Sequence, residues 1–257
     1  MEENLLSPNG IRAIFFDLDG TLRHNDPAPE KVIFDLAVKL GATDSPERRR
    51  WALRWAHYYW AQSAEMLQDV ETYKESEEDF WCNYIRQNLA AFECPPDLME
   101  QIFPQVYQYM NEQYKPQDRV IPGVLETLET LKMAGFGLAL ISNRTKPYLE
   151  LLQKLNLDSY FELVVAAGEI KAWKPEPAIF LHALREMDFK AEETIYVGDN
   201  YFADVVGAQR AGLQPVLLDP EGIFPDPGCA VLNSVSDLMG LLEEQQPQPG
   251  GYAGPNY

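Results

Sequence analysis

Residues 13–22 read AIFFDLDGTL: four apolar residues, then Asp17 and Asp19 on either side of a leucine, then Gly20 and Thr21. An apolar run without alternation is typical of a strand that a parallel sheet buries on both faces. The two aspartates therefore stand where the strand ends, and such sheets bind ligands at the carboxyl ends of their strands. This stretch predicts a parallel sheet with an acidic site at one edge.

Four further apolar runs have the same character, and helical patterns separate them. The runs are residues 136–141 (FGLALI), 162–167 (ELVVAA), 194–198 (TIYVG) and 215–218 (PVLL). The helical patterns cover residues 122–135, 147–155, 175–187 and 202–213. Because strand alternates with helix, we expect an α/β fold built on a Rossmann-like, doubly wound parallel sheet.

Residues 27–118 interrupt this rhythm with four helical patterns and no convincing strand. The patterns are residues 29–41, a segment that opens at Ser45-Pro46-Glu47 and runs to about Asp69, a segment that begins at Ser76, and residues 96–114. They predict an all-helical cap domain inserted into the sheet domain. We place the core domain at residues 1–26 and 116–243, the cap domain at 27–115, and a flexible tail rich in Pro, Gly and Gln at 244–257.

The 257-residue chain carries a formal charge of −19, and 46% of its residues are hydrophobic. This hydrophobic content is ample for a packed core, and the negative charge repels nucleic acid and anionic membranes. No apolar run approaches the roughly 20 residues that span a bilayer, and the first ten residues lack the features of a signal peptide. We therefore expect a cytoplasmic monomer or homodimer with no membrane or nucleic-acid partner.

Polar side chains also follow the later predicted strands. They are, in chain order, Ser142 and Asn143, Lys171 and Lys174, and Gly198, Asp199 and Asn200. At one sheet edge, Asp17, Asp19 and Asp199 would concentrate three negative charges, which is unfavourable unless a cation lies among them. Mg²⁺ fits such a site, because it prefers oxygen ligands and leaves positions for water and a phosphate group.

Four of these segments together resemble the motifs of the haloacid dehalogenase superfamily. They are DLDGTL at residues 17–22, LISNR at 140–144, the lysine of WKPEPAIF at 173–180, and VGDNYFAD at 197–204. The helical insertion after the first motif resembles the cap of the phosphoglycolate phosphatase and beta-phosphoglucomutase group. The resemblance implies a Mg²⁺-dependent phosphatase that acts on a small phosphorylated metabolite through an aspartyl-phosphate intermediate.

The resemblance also implies a catalytic set of four residues. Asp17 is the expected nucleophile, and Asp19 is the expected general acid and then general base. Ser142 and Lys174 would bind and neutralise the transferring phosphoryl group. Lys171 is a competing candidate for the lysine, but the spacing before PEPAIF favours Lys174.

Other matched residues are expected to bind phosphate, to bind the metal ion or to support the site. The phosphate-binding positions are Leu18, Gly20, Thr21 and Asn143. The metal ligands are Asp17, Asp19 through its backbone carbonyl, and Asp199. Asn200 and Asp204 would support the metal site without binding the ion.

Two alternative functions stay open at this point. A phosphomutase of the same family would return the phosphoryl group to a sugar, and a non-catalytic phosphate-sensing or protein-binding module would use the same scaffold. The dehalogenase branch of the family lacks the second aspartate, so Asp19 disfavours that activity.

The second cap helix carries two side-chain stripes whose roles the sequence leaves unresolved. Their members are Arg50, Arg54 and His57 in a basic stripe, and Trp51, Trp55 and Tyr58 in an aromatic stripe. We interpret the basic stripe as a solvated face rather than a site for a second anionic group of the substrate. We interpret the aromatic stripe as cap core. Arg23 and His24, just after the first motif, are candidates for substrate contact.

Overall fold

The computed structural model describes residues 10–244, and its centre is a six-stranded parallel sheet. Numbered in chain order with two strands outside this sheet, the strands are β1 (Ala13–Phe16), β2 (Arg23–Asp26), β3 (Gln117–Val120), β4 (Gly137–Ser142), β5 (Leu163–Ala166), β6 (Thr194–Gly198), β7 (Gln214–Leu218) and β8 (Ala230–Leu232). The six-stranded sheet has the order β5-β4-β1-β6-β7-β8. The tail predicted at residues 244–257 lies, beyond Glu244, outside the described residues.

Strand β1 occupies the middle of the sheet, between β4 and β6, and every residue of these three strands is buried. After β1 the chain builds outward through β4 and β5, then returns to the other side of β1 with β6. The strand order therefore reverses beside β1, and such a reversal opens a crevice at the carboxyl ends of the strands. Asp17 directly follows β1 and lies at this crevice.

Helices cover both faces of the sheet, as the apolar runs predicted. They are α6 (Val124–Met133), α7 (Leu149–Lys154), α8 (Ala167–Ile170), α9 (Pro177–Glu186), α10 (Val206–Ala211) and α11 (Leu238–Glu244). Ile14 and Phe16 pack into one apolar layer, whereas Phe15 packs into the layer on the opposite face. This alternation within one buried strand confirms the doubly wound α/β fold.

Five helices form the insertion between β2 and β3, which confirms an all-helical cap. They are α1 (Pro29–Lys39), α2 (Pro46–Trp60), α3 (Ala64–Thr72), α4 (Glu77–Ala91) and α5 (Pro96–Glu112). The predicted single helix from Ser45 to about Asp69 is wrong. Gln62 takes a left-handed conformation with φ of 59°, and the Ser63 hydroxyl accepts a hydrogen bond from the Met66 N–H, which starts α3.

The interpretation of the aromatic stripe as cap core is wrong for two of its members, because Trp51 is 62% exposed and Tyr58 is 39% exposed. Its third member, Trp55, does pack within the cap, where its ring stacks on Tyr84 with centroids 6.0 Å apart. An apolar cap core forms between α1, α4 and α5, where Phe34 stacks on Phe92 with ring centroids 4.9 Å apart.

No helix within residues 10–244 has the length and apolar character needed to traverse a lipid bilayer.

A two-stranded antiparallel ribbon joins the sheet to the cap, and the sequence reading missed it. Arg23 pairs with Val120, and Asp26 pairs with Gln117, so both connections to the cap run side by side. The segments RHND and QDRV are mostly polar and lack the alternation that marks a strand. The edge strand β8 was missed because it is only three residues long. The predicted domain boundaries near residues 26 and 116 stay a prediction.

Candidate active site

The carboxyl ends of β1, β4 and β6 bring the predicted site residues together. The backbone N–H of Asp17 donates to the carbonyl of Val197 at 2.9 Å, which extends the β1–β6 ladder to the residue predicted to be the nucleophile. Ser142 ends β4 and is buried, and Asp199 directly follows β6. The sheet edge therefore holds one predicted group from each of three strands.

Lys174 lies at the centre of this site, with its side chain almost fully buried. Its Nζ lies 2.6 Å from Asp17 Oδ1 and 2.6 Å from Asp204 Oδ1, and it donates to the Tyr196 hydroxyl at 3.0 Å. Burial lowers the pKa of Lys174, but the charges of Asp17 and Asp204 outweigh it and hold the pKa well above its ordinary value. Lys174 is therefore an ammonium ion.

Lys171, the competing candidate, is exposed and takes a left-handed conformation at the end of α8. Asn143 holds Lys174 in place instead through two hydrogen bonds to its backbone. The Asn143 side chain donates to the Lys174 carbonyl at 2.9 Å and accepts from the Lys174 N–H at 2.7 Å. The structure and the sequence spacing thus both favour Lys174, and Asn143 acts on the site by holding Lys174 in position. Contact of Asn143 with phosphate stays a prediction.

Three carboxylates, those of Asp17, Asp199 and Asp204, lie close together, and Lys174 contacts two of them, Asp17 and Asp204. Each offers one oxygen, and these oxygens all lie within 4.8 Å of one another. Burial raises the pKa of Asp17 to about 7. The positive charge of Lys174 opposes this shift, and the negative charges of Asp204 and Asp19 add to it. Burial and the charges of Asp17 and Asp204 raise the pKa of Asp199 well above its ordinary value. When ionised, the two buried carboxylates, those of Asp17 and Asp204, and the half-buried Asp199 carry more negative charge than one ammonium compensates. This set fits a divalent cation with oxygen ligands.

The loop after β1 approaches Asp199 closely. The Thr21 hydroxyl donates to Asp199 Oδ1 at 3.1 Å. Gly20 has a φ of 93°, and a Cβ atom built there would lie 2.1 Å from Asp199 Oδ2. Glycine is therefore required both for the turn and for the approach. The Leu18 side chain is fully buried in the apolar layer, so a phosphate contact at Leu18 is limited to its backbone.

Asp204 and Asn200 shape the loop that follows β6. Asp204 is buried, and its Oδ2 accepts from the Asn200 N–H at 2.9 Å while Oδ1 receives Lys174. The Asn200 side chain accepts from the N–H groups of Phe202 and Ala203 and donates to the carbonyl of His57 at 2.8 Å. Asn200 therefore connects this loop directly to cap helix α2.

Asp19 points to different partners from those of Asp17. Arg144 binds both of its carboxylate oxygens, with Nε and Nη2 each donating at 2.8 Å. Arg23 Nη2 lies 2.6 Å from Asp19 Oδ1. Partial burial raises the pKa of Asp19, but the hydrogen bonds from Arg144 and the charge of Arg23 outweigh it and hold the pKa below its ordinary value. His24, the other residue predicted to contact substrate, is exposed on β2.

The sequence reading missed three residues that contact this site. Arg144 is the last residue of LISNR, and its place directly after Ser142-Asn143 at the end of a strand is a sequence signal for a site residue. Tyr196 lies inside an apolar strand and gave no signal.

His57 was assigned to a solvated basic stripe, and that assignment is wrong. Its Nδ1 lies 3.9 Å from Asp199 Oδ2, and its ring, which is 19% exposed, meets the Phe224 ring edge-on at 5.3 Å. Arg50 does lie on an exposed face, where its nearest carboxylate is Glu47 at 3.6 Å.

His57 gives the fold a predictable response to acid. Burial lowers the pKa of His57 to about 4, although the charges of Asp204, Asp219 and Glu221 oppose it. The unfolded chain binds this proton near pH 6.5, so folding loses stability as the pH falls from about 6.5 to 4. From pH 7 to 5, in EDTA, wild type is expected to lose about 2 kcal/mol more unfolding free energy than His57→Asn.

Urea unfolding at the two pH values measures this difference, and His24→Asn, which removes an exposed imidazole, is the control. Equal losses in wild type and His57→Asn would contradict the burial of a neutral imidazole at this position.

Comparison with known proteins gives one family match and relatives that align over most of their length. The model of the family described as haloacid dehalogenase-like hydrolase matches residues 11–212. The ribulose-1,5-bisphosphate 5-phosphatase of Halopiger xanaduensis is 30% identical over 212 residues, which cover 81% of this chain and 84% of that protein. The glyceraldehyde 3-phosphate phosphatase of Methanothermobacter thermautotrophicus is 27% identical over 215 residues, which cover 82% of this chain and 87% of that protein. The crystal structure of a 2-haloacid dehalogenase from Pseudomonas syringae pv. Tomato superposes with a TM-score of 0.52 at 27% identity, covering 91% of this chain and 99% of that one.

Proposed function

The chain belongs to the haloacid dehalogenase-like hydrolases, and from this premise we propose that it is a Mg²⁺-dependent phosphatase that hydrolyses a small-molecule phosphomonoester through an aspartyl-phosphate on Asp17. The observation that carries the proposal is the buried contact of Lys174 with Asp17 beside Asp199 and Asp204. Two relatives named as phosphatases, for ribulose-1,5-bisphosphate and glyceraldehyde 3-phosphate, support this reaction class. Asp19 further favours phosphoryl transfer over dehalogenation, because a second carboxylate serves proton transfer to a leaving alcohol.

The first half of the reaction transfers the phosphoryl group to the protein. A carboxylate oxygen of Asp17 forms a bond to phosphorus as the ester P–O bond breaks in line with it. Asp19 gives a proton to the departing oxygen, so an alcohol leaves. Lys174 and Ser142 stabilise the charge on the transferring group, and Asn143 keeps Lys174 in position.

The second half returns the enzyme to its starting state. Asp19, now ionised, removes a proton from a water molecule that attacks phosphorus. The bond between phosphorus and Asp17 breaks, which releases inorganic phosphate and restores both carboxyl groups. Because Asp17 and Asp19 have separate partners, Lys174 for one and Arg144 with Arg23 for the other, the two carboxyl groups can perform different tasks.

The donor set fits Mg²⁺, and the proposed ligands are Asp17, the backbone carbonyl of Asp19, and Asp199. When bound, the ion supplies positive charge that offsets the buried carboxylates and the phosphoryl oxygens. Asp204 supports the site by holding Lys174 and the loop at Asn200. Thr21 keeps Asp199 in place through its hydroxyl.

The cap is proposed to restrict the substrate to small phosphorylated metabolites. Helix α2 contacts the loop after β6 through the Asn200–His57 hydrogen bond, and Tyr58 meets Phe202 edge-on with ring centroids 5.5 Å apart. A cap that rests directly on the catalytic loop leaves little room for a macromolecular substrate and limits the access of water. A monomeric or homodimeric state remains a prediction.

Phosphate release in the presence of Mg²⁺ or EDTA tests this function. The panel contains sugar phosphates, phosphoglycolate, nucleotides and an aryl phosphate. We expect at least one substrate to be turned over, with EDTA reducing the rate by about a hundredfold or more and excess Mg²⁺ restoring it, because the carboxylates then repel phosphate. Release that is indifferent to EDTA would contradict the metal dependence, and no release from any substrate would contradict the phosphatase assignment.

A further inference from the structure

Asp19, the proposed proton donor, is bound by two arginines at once. Arg144 reaches it across 125 positions of sequence and binds both of its oxygens. Arg23 adds a contact of 2.6 Å to Oδ1. Oδ1 thus contacts both arginines and Oδ2 contacts Arg144, whose guanidinium fork covers the edge of the carboxyl group between the two oxygens. A leaving oxygen therefore competes with a guanidinium for the position beside Asp19.

The two arginines differ in how firmly the protein holds them. The Arg23 side chain is only 9% exposed, and its Nη1 also contacts Asn25 at 2.7 Å and Asp118 at 3.2 Å. It is therefore fixed in the ribbon that leads to the cap. The Arg144 side chain is 30% exposed, and its guanidinium contacts one carboxylate, that of Asp19, and the face of the Tyr148 ring at 5.8 Å. Of the two arginines that contact Asp19 within the described residues, Arg144 has fewer other contacts and can move away from Asp19 more easily.

The position of Arg144 also determines what it can meet. Whichever group protonates the leaving oxygen has to contact that oxygen, so a guanidinium 2.8 Å from Asp19 lies beside the leaving alcohol. A guanidinium fork matches a carboxylate or a phosphate in two parallel hydrogen bonds. An anionic group on the alcohol would therefore compete with Asp19 for the same two donors.

We propose that Arg144 is a specificity-determining and positioning residue that exchanges Asp19 for an anionic group on the leaving alcohol of the substrate. The exchange frees Asp19 at the moment when a substrate of the right class is bound. The inference rests on the proposed phosphatase function and narrows it to phosphomonoesters whose alcohol carries a carboxylate or a second phosphate. Neutral alcohols would leave Arg144 on Asp19 and react slowly.

Matched substrate pairs test the exchange. The first pair is 2-phosphoglycolate against 2-hydroxyethyl phosphate, and the second is 1,3-propanediol bisphosphate against its monophosphate. These arms separate a carboxylate from a phosphate as the preferred anion. The enzymes are wild type, Arg144→Met, Arg144→Lys, which keeps the charge without the fork, and Arg210→Met, which removes an exposed arginine on α10 as the control.

Wild type is expected to prefer the anionic member of at least one pair by about tenfold or more in kcat/KM, the effect of a charge-assisted bidentate contact. In Arg144→Met the preference is expected to fall to within about twofold, mainly through KM of the anionic substrate. Arg144→Lys should lie between the two, and Arg210→Met should follow wild type. Equal losses for both members in Arg144→Met, or no preference in wild type, would overturn the inference.

Calorimetric binding of the same pairs to Asp17→Asn, with and without Arg144→Met, keeps this test independent of turnover. If nothing is hydrolysed but anionic members bind more tightly and lose that advantage in the double variant, the phosphatase function fails, whereas the assignment of Arg144 as the residue that binds the second anionic group stands. If the double variant binds every member as Asp17→Asn does, the inference fails whatever the activity.

Discussion

Asp17→Asn is expected to reduce Mg²⁺-dependent phosphate release by at least about a thousandfold, because loss of a covalent nucleophile typically costs several orders of magnitude. The amide keeps the shape of the side chain and an oxygen that can accept from Lys174, now 2.6 Å from Asp17 Oδ1. It lacks the negative charge that makes the carboxylate a nucleophile. The defect should appear in kcat, since Lys174 and Ser142 still bind the phosphoryl group.

The fold should tolerate this substitution. The side chain keeps its volume, and one charge leaves a cluster of buried carboxylates whose pKa values are already raised by burial. We expect a melting temperature within a few degrees of wild type. The matched control is Asp97→Asn, which removes an exposed carboxylate in the first turn of α5 and should leave the rate unchanged. A rate in Asp17→Asn within about tenfold of wild type would exclude Asp17 as the nucleophile.

Lys174→Met is expected to lower the unfolding free energy by about 3 kcal/mol or more and to abolish activity, because breaking a buried ion pair leaves its partner uncompensated. Lys174 contacts the carboxylates of both Asp17 and Asp204, and its removal exposes each of them to the repulsion of the other. Urea unfolding in EDTA measures the loss. Mg²⁺ should restore part of the stability, since it compensates the same charges.

Lys171→Met is the matched control for this prediction, because it removes an exposed lysine only three positions earlier. A second variant separates charge from packing: Lys174→Met combined with Asp204→Asn should regain part of the lost stability without regaining activity. If Lys174→Met unfolds at the same urea concentration as Lys171→Met, the buried ammonium is not a structural element of the site.

The sequence was sufficient for the α/β core with its helical insertion and for the convergence of most predicted site residues at one sheet edge. Buried strands leave long apolar runs, and the carboxyl ends of parallel strands meet at one edge, so residues that follow such runs were correctly brought together. Asp17, Ser142, Lys174 and Asp199 were placed at this edge in this way, and their catalytic roles stay predictions. The spacing before PEPAIF favoured Lys174 over Lys171, and burial of Lys174 among carboxylates agrees with it. These features depend on local pattern and chain order, which a sequence displays directly.

The tertiary structure decided how those residues are connected to the rest of the molecule. The contacts of Asp19 with Arg144, of His57 with Asp199, and of β2 with β3 each join segments far apart in the chain. Each of these contacts depends on side-chain rotamers and on how the cap packs on the core domain. Polar side chains at such positions carry no periodic signal of burial in the sequence. The same holds for the break between α2 and α3, where a single left-handed residue ends a pattern that reads as one helix. Sequence periodicity records which faces are buried, whereas the partner of each polar group is settled only when distant elements pack together.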